Sequence, residues 1–199
     1  MGIALERPTQ GPGVDGYIPG KQGIKRWETI AGIALVNGYC RGAELGVSWG
    51  RFSTFLCSRV PNMNMLAVDL WGPQPENVGR PGAEAYDNEK YWPHEKKFQT
   101  LKDHIAQYFP GRIKLMRMLT NDAAKLVDDE SLDFVFIDAD HSYEGCAADI
   151  ANWTPKVRQG GLVSGHDINW PTVLKAVKES GDFITASDNV WLRYKPEFP

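Results

Sequence analysis

Apolar positions along the chain alternate between two rhythms. Trp27, Ile30, Ala31, Ala34 and Leu35 recur at three- and four-residue steps and predict a helix over 24–39. A short apolar run at 43–45 predicts a strand that leads into a turn at 46–50. Phe52, Phe55 and Leu56 then give a helix starting near Arg51 its buried face, until Pro61-Asn62 stops it. Residues 65–70 read as a second strand finishing in Asp69. From His94, Phe98, Leu101, Ile105 and Tyr108 stripe a helix that Pro110-Gly111 ends. A strand at 113–118, a short helix at 123–127 and a strand at 132–137 follow. That last strand is almost continuously apolar, as a central parallel strand covered on both faces must be. Tyr143, Ala147, Ile150, Ala151 and Val157 stripe a further helix, closed by Gly160-Gly161. A strand at 162–164, a helix through 173–177 and strands at 183–186 and 190–194 complete the pattern.

Strands alternating with helices predict one α/β domain with a doubly wound, mostly parallel sheet and right-handed crossovers. The two closing strands flank a Ser-Asp-Asn turn too short for a crossover, so the C-terminal strand is antiparallel. Ligands of such a sheet bind at the C-terminal ends of its strands. Two segments break the rhythm. Residues 1–23 form an irregular, glycine- and proline-rich arm, which leaves 24–199 as the domain. Residues 71–93 mix prolines, glycines and aromatics with no period, and unstructured stretches of that length are usually functional. Trp71, Tyr86, Tyr91 and Trp92 fit either a lid over a bound molecule or an interface between copies of the chain.

Composition narrows the partners. With 199 residues, 42% hydrophobic and 24% charged, the chain is an ordinary single globular domain. A net charge of −3 with scattered Lys and Arg excludes the basic footprint of a nucleic-acid binder. No apolar run approaches the roughly 18 residues of a membrane span. Cys40, Cys57 and Cys146 are odd in number and unclustered, so they read as small buried thiols of a reducing compartment. A cytoplasmic location is expected.

The turn at 43–50, Ala-Glu-Leu-Gly-Val-Ser-Trp-Gly, carries the most chemistry. Its glycines let backbone approach a ligand closely, and the helix behind it aims free N–H groups at the same place. A dinucleotide fingerprint opens with glycine, because a pyrophosphate sits there. Glu44 stands in that position, where it would repel a phosphate and attract an ammonium. The expected ligand is a nucleoside with a cationic amino-acid tail, a description that S-adenosylmethionine fits. Polar residues also collect at the other strand ends: Asp69, then Asn121 and Asp122, then Asp138, then Asp167.

Four segments in order carry a family resemblance: Ala-Glu-Leu-Gly-Val-Ser-Trp-Gly, Ala-Val-Asp-Leu-Trp, Ile-Asp-Ala-Asp-His-Ser-Tyr-Glu-Gly, and Gly-Gly-Leu-Val-Ser-Gly-His-Asp. Together they resemble class I S-adenosylmethionine-dependent methyltransferases. The third is most similar to small-molecule O-methyltransferases of the methyltransferase 24 kind, relatives of the catechol and caffeoyl-CoA enzymes. The resemblance implies a Rossmann-like sheet and methyl transfer to a hydroxyl of a small molecule, a sugar or a phenol.

It also implies roles. Glu44 with Gly46, Val47, Ser48 and Gly50 would hold the methionine end of the cofactor. Asp69 would receive both ribose hydroxyls. Leu70 or Trp71 would lie against adenine, with Asp122 and Ala123 at its edge. Asp138 would border the cofactor and, with Asp167, hold Mg²⁺. The third ligand of the relatives is an Asn whose position here is Ile168, which leaves Asn169 or His166 as substitutes. Without a metal, Asp138 supports the cofactor and Asp167 caps the last helix. His141 stands where the relatives carry a catalytic lysine, and its ordinary pKa suits proton removal, with Asp140 to orient it. The competing classes are a non-catalytic cofactor-binding or assembly protein and a nucleotide-dependent oxidoreductase.

Overall fold

The computed structural model describes residues 23–73 and 93–196. In chain order its elements are α1 (Arg26–Asn37), β1 (Arg41–Leu45), α2 (Arg51–Arg59), β2 (Asn64–Asp69), α3 (His94–Tyr108), β3 (Ile113–Arg117), α4 (Thr120–Ala124), β4 (Leu132–Ile137), α5 (Tyr143–Trp153), β5 (Val157–Gly165), α6 (Pro171–Glu179), β6 (Ile184–Ala186) and β7 (Val190–Tyr194). The strands form one sheet in the order β3-β2-β1-β4-β5-β7-β6. Pairing is parallel from β3 through β5, whereas β7 runs antiparallel to both β5 and β6. The doubly wound, mostly parallel sheet expected from the sequence is therefore present. Strand order reverses at the β1–β4 junction, the place where such sheets open a crevice for ligands.

Alternation along β4 explains why this strand is central. All six of its residues are buried. Phe134 and Phe136 face a layer built from Ile30 of α1, Phe52 and Leu56 of α2 and Leu101 of α3. Val135 and Ile137 face the other layer, with Ile150 and Trp153 of α5 and Val173 and Val177 of α6. Truncating a side chain such as Phe134 to Ala would cost about 3–5 kcal/mol.

The structure corrects two sequence expectations. Gly160 and Gly161 do not close α5; that helix ends at Trp153, a 3-10 turn carries Pro155, and residues from Val157 onward are already β5. The glycines sit where the β4–β5 pairing shifts register between Leu132 and Phe134. The short helix after β3 starts at Thr120, three residues earlier than its apolar stripe suggested. The arm before residue 23 and most of the 71–93 segment, with Tyr86, Tyr91 and Trp92, lie outside the described residues. Cys57 and Cys146 are buried free thiols and Cys40 is half-buried. No helix among the described residues is long and apolar enough to cross a membrane.

Candidate active site

The loop between β1 and α2 is pressed against the end of β4. Gly46 has φ 83°, and a Cβ there would lie 2.0 Å from the Asp138 carbonyl oxygen. Gly50 has φ 75° and no room for a side chain beside Leu101. Only glycine meets both demands at once. Gly50 N–H donates to the Val47 carbonyl at 2.8 Å, which closes the turn before α2 starts at Arg51.

Glu44 lies under this loop, 4% exposed. One carboxylate oxygen accepts the Ser53 backbone N–H at 3.0 Å and also the Ser53 hydroxyl. Ser53 belongs to the first turn of α2, where an anion satisfies the free amides of a helix start. Burial nevertheless pushes the Glu44 carboxyl up to about 8; the Ser53 bonds oppose that, while the charges of Asp138 and Asp69 add to it. Near neutral pH the ligand-free group is mostly protonated. A cation brought alongside restores its charge.

Asp69 gathers three backbone N–H groups. One oxygen accepts the N–H groups of Val47 at 2.9 Å and Ser48 at 2.8 Å, and the other accepts Trp71 N–H at 2.7 Å. A carboxylate offers about four lone-pair sites, so three are already filled. The side chain thus clamps the glycine loop to the end of β2. Trp71 completes the clamp: buried, it donates its indole N–H to the Ser48 carbonyl at 2.9 Å and packs on Phe98. Leu70 is half-buried beside it. Asp122 sits on α4, exposed and paired with Lys125 at 2.8 Å, while Ala123 is fully buried.

Next to the loop, the ends of β4 and β5 bring together Asp138, His141, His166 and Asp167. His141 Nε2 lies 2.7 Å from Asp167 Oδ2 and 3.6 Å from Asp138 Oδ1. Asp167, held at φ 56°, turns its other oxygen to His166 Nδ1 at 3.0 Å. Arg26, the first residue of α1, reaches the same group: Nη1 is 2.8 Å from His166 Nε2, and Nη2 is 3.7 Å from Asp138 Oδ2. The same Nη1 is 3.0 Å from His166 Nδ1, so the guanidinium lies against both ring nitrogens. The carboxylates of Asp138 and Asp167, as acceptors for the His141 N–H, outweigh its partial burial and raise it to about 9. Burial of Asp167 acts against ionisation, yet the bonds from His141 and His166 hold its carboxyl well below the ordinary range. Trp170, 47% exposed, lies against the His141 ring at 5.0 Å.

Other expected participants lie apart. Ile168 is buried in the core and offers no ligand atom. Asp140 bonds the backbone and hydroxyl of Ser142 at the start of α5, so it braces that helix and leaves His141 alone. His94 and His104 are on α3; His104 packs on Tyr108 and Phe109. Sequence reasoning missed Arg26, for which no local motif exists, since the fold alone joins it to a partner 140 residues away. His166 enters the sequence reading only as a substitute metal ligand, although adjacency to Asp167 was an available signal.

Comparison with known proteins bears on the family and the fold. The model of a methyltransferase domain family, methyltransferase 24, matches residues 43–168. No protein of curated function matches the sequence significantly. Among solved structures, the O-methyltransferase NovP is similar at a TM-score of 0.64 and 20% identity, over 87% of this chain and 81% of that one. An O-methyltransferase from Bacillus cereus in complex with SAH gives 0.59 and 12%, over 85% and 80%. An SAH-bound methyltransferase from Podospora anserina gives 0.60 and 14%, over 85% and 77%. With its glycine loop, sheet order and family match in agreement, the chain belongs to the class I S-adenosylmethionine-dependent methyltransferases.

Proposed function

We propose that this protein transfers the methyl group of S-adenosylmethionine to a hydroxyl of a small molecule, a sugar or a phenol. The observation that carries the reading is adjacency. The glycine loop and the Asp–His group meet at Gly46 and Asp138, so a cofactor held by the first presents its sulfonium beside the second. Glu44 receives the cofactor's ammonium, and the backbone of Gly46, Val47, Ser48 and Gly50 lies along its methionine end. The remaining lone pair of Asp69 faces the ribose, and Leu70 and Asp122 bracket the adenine.

In the reaction the acceptor oxygen attacks the methyl carbon in line as the carbon–sulfur bond breaks. The electron pair goes to sulfur, which leaves as a neutral thioether, and the hydroxyl proton is lost. The cofactor supplies the reactive carbon, so the chain contributes alignment and exclusion of water. Asp138 and His141 are the groups that meet the acceptor. His141 accepts a proton only after losing its own, which follows once the charges of Asp138 and Asp167 are neutralised.

Asp138 and Asp167 also fit a divalent cation: two ionisable carboxylates with a third donor, His141, all with ligand atoms within 4.8 Å of one another. When bound, such an ion would polarise the hydroxyl and lower its pKa.

Calorimetry of the full chain with S-adenosylmethionine and S-adenosylhomocysteine tests the reading. Saturable one-to-one binding of both is expected, weakened at least 10-fold in Glu44→Gln for the ammonium-bearing ligands. Absence of binding to either removes the proposal.

A further inference from the structure

We infer that Asp138, His141 and Asp167 form a site for a first-row transition-metal dication, with the His141 imidazole as third ligand, and that the site prefers such an ion to Mg²⁺. The inference rests on the preceding reading that Asp138 and Asp167 hold a divalent ion; what it adds is the class of metal, and that His141 in the loaded protein is a ligand, with the ion rather than the imidazole activating the hydroxyl there.

Three observations carry it. The oxygen donor that would complete an all-oxygen set is missing, since Ile168 is apolar and packed into the core. In its place His141 Nε2 stands between the carboxylates, 2.7 Å from Asp167 Oδ2 and 3.6 Å from Asp138 Oδ1. Ligands bonded at about 2.1 Å on adjacent vertices lie about 3 Å apart, so this spacing needs only small movements. The outward-facing oxygens are partnered as well: Asp167 Oδ1 faces His166 Nδ1 at 3.0 Å, Asp138 Oδ2 faces Arg26 Nη2 at 3.7 Å, and Arg26 Nη1 in turn bonds His166. Partners behind the ligands fix their orientation and tune affinity. Arg26 and His166 are therefore positioning residues, with one donor atom of each of the three ligand side chains left facing inward. Mg²⁺ favours six oxygens and parts reluctantly with its waters, whereas imidazole nitrogen suits the later first-row dications, with affinity rising from Mn²⁺ to Cu²⁺ and lower again at Zn²⁺.

Metal titration of the full chain, stripped with chelator, requires no acceptor. CoCl₂ should produce visible d–d absorption bands that saturate at one equivalent. A 100-fold excess of MgCl₂ should leave most of that signal in place. His141→Ala should weaken Co²⁺ binding by more than the roughly 10- to 100-fold that loss of an outer partner costs. His141→Asp, which exchanges nitrogen for oxygen, should keep a divalent site and narrow the preference for Co²⁺ over Mg²⁺. Retained S-adenosylhomocysteine affinity reports that each variant is folded. Lack of Co²⁺ bands in the unmodified chain, displacement by equimolar Mg²⁺, or an unaltered Co²⁺ affinity in a folded His141→Ala would each overturn the inference. If cofactor binds while Co²⁺ does not, the metal assignment alone fails; if Co²⁺ binds while cofactor does not, the methyltransferase reading fails and the metal site stands.

Discussion

Glu44 at the end of β1 and Ser53 in the first turn of α2 are joined twice, because one carboxyl oxygen takes both the backbone N–H and the hydroxyl of the serine. The pair holds the helix start against the sheet, and it also keeps a titratable group below the loop proposed to meet the cofactor. Glu44→Ala leaves two buried donors without an acceptor, each costing about 1–3 kcal/mol. We expect a large drop in melting temperature together with loss of cofactor binding. Glu44→Gln keeps an acceptor for Ser53 but no charge, so it should melt near the unmodified protein and still bind S-adenosylmethionine weakly. Parallel melting curves and calorimetry separate these outcomes.

The same burial makes stability depend on pH. Glu44 is raised from 4.5 to about 8 in the fold, so between those values the native state holds a proton that the unfolded chain has released. Native stability therefore falls as pH rises from about 4.5 through about 8. His141, raised from 6.5 to about 9, extends the decline: its contribution is complete below 6.5 and lost as pH rises through 9. Each fully buried group tilts stability by at most about 1.4 kcal/mol per pH unit. His141, with a third of its side chain exposed, contributes less through solvent screening. Denaturant melts at pH 5, 7 and 9 should show the decline, and Glu44→Gln should flatten its lower half.

Asp69 should prove as important to the loop as to any ligand. Three backbone N–H groups converge on it, and bonds to a charged acceptor are worth about 1.5–3 kcal/mol each. Asp69→Ala is expected to release the 47–48 segment and Trp71 together, which hydrogen exchange would register as lost protection at those amides. Cofactor affinity should fall in the same variant. Normal protection in Asp69→Ala would refute the clamp.

At the acid end a different carboxylate governs. Burial of Asp133 disfavours its charge, but the ion pair with Arg158 at 2.8 Å and the N–H groups of Cys40 and Arg41 more than offset this and lower its pKa. A depressed carboxylate stabilises the fold above its unfolded pKa and ceases to do so as pH falls through the folded value. Asp133→Asn should therefore destabilise the protein at pH 6, by an amount that shrinks as pH falls below 3.8, measured by urea midpoint.

Much of this architecture was legible before any coordinates. The apolar run at 132–137 marked β4, and the Glu-x-Gly turn marked the loop after β1, because local period and turn chemistry reflect local geometry. The strand-end acids Asp138 and Asp167 were named on the same logic. What escaped notice was produced by long-range closure. Gly160-Gly161 resembled a helix stop because glycine serves bulges and caps alike, and only the pairing of β5 with β4 decides between them. The clamp that Asp69 makes is invisible locally, because nothing in its neighbourhood shows that the loop amides 21 and 22 residues away bond one of its oxygens. Arg26 reads, in sequence, as one more solvated charge opening a helix.

The turn between β6 and β7 grips both flanks of the candidate active site. Asp188 accepts the backbone N–H of Arg26 at 3.0 Å, and the Asn189 carbonyl accepts that of Ile168, the neighbour of Asp167, at 3.1 Å. Outer hairpin tips are ordinarily the safest places to graft a tag or an insertion. Here that surface corner is tied to Arg26 and to the neighbour of Asp167 at once, so an insertion into it would disturb both together.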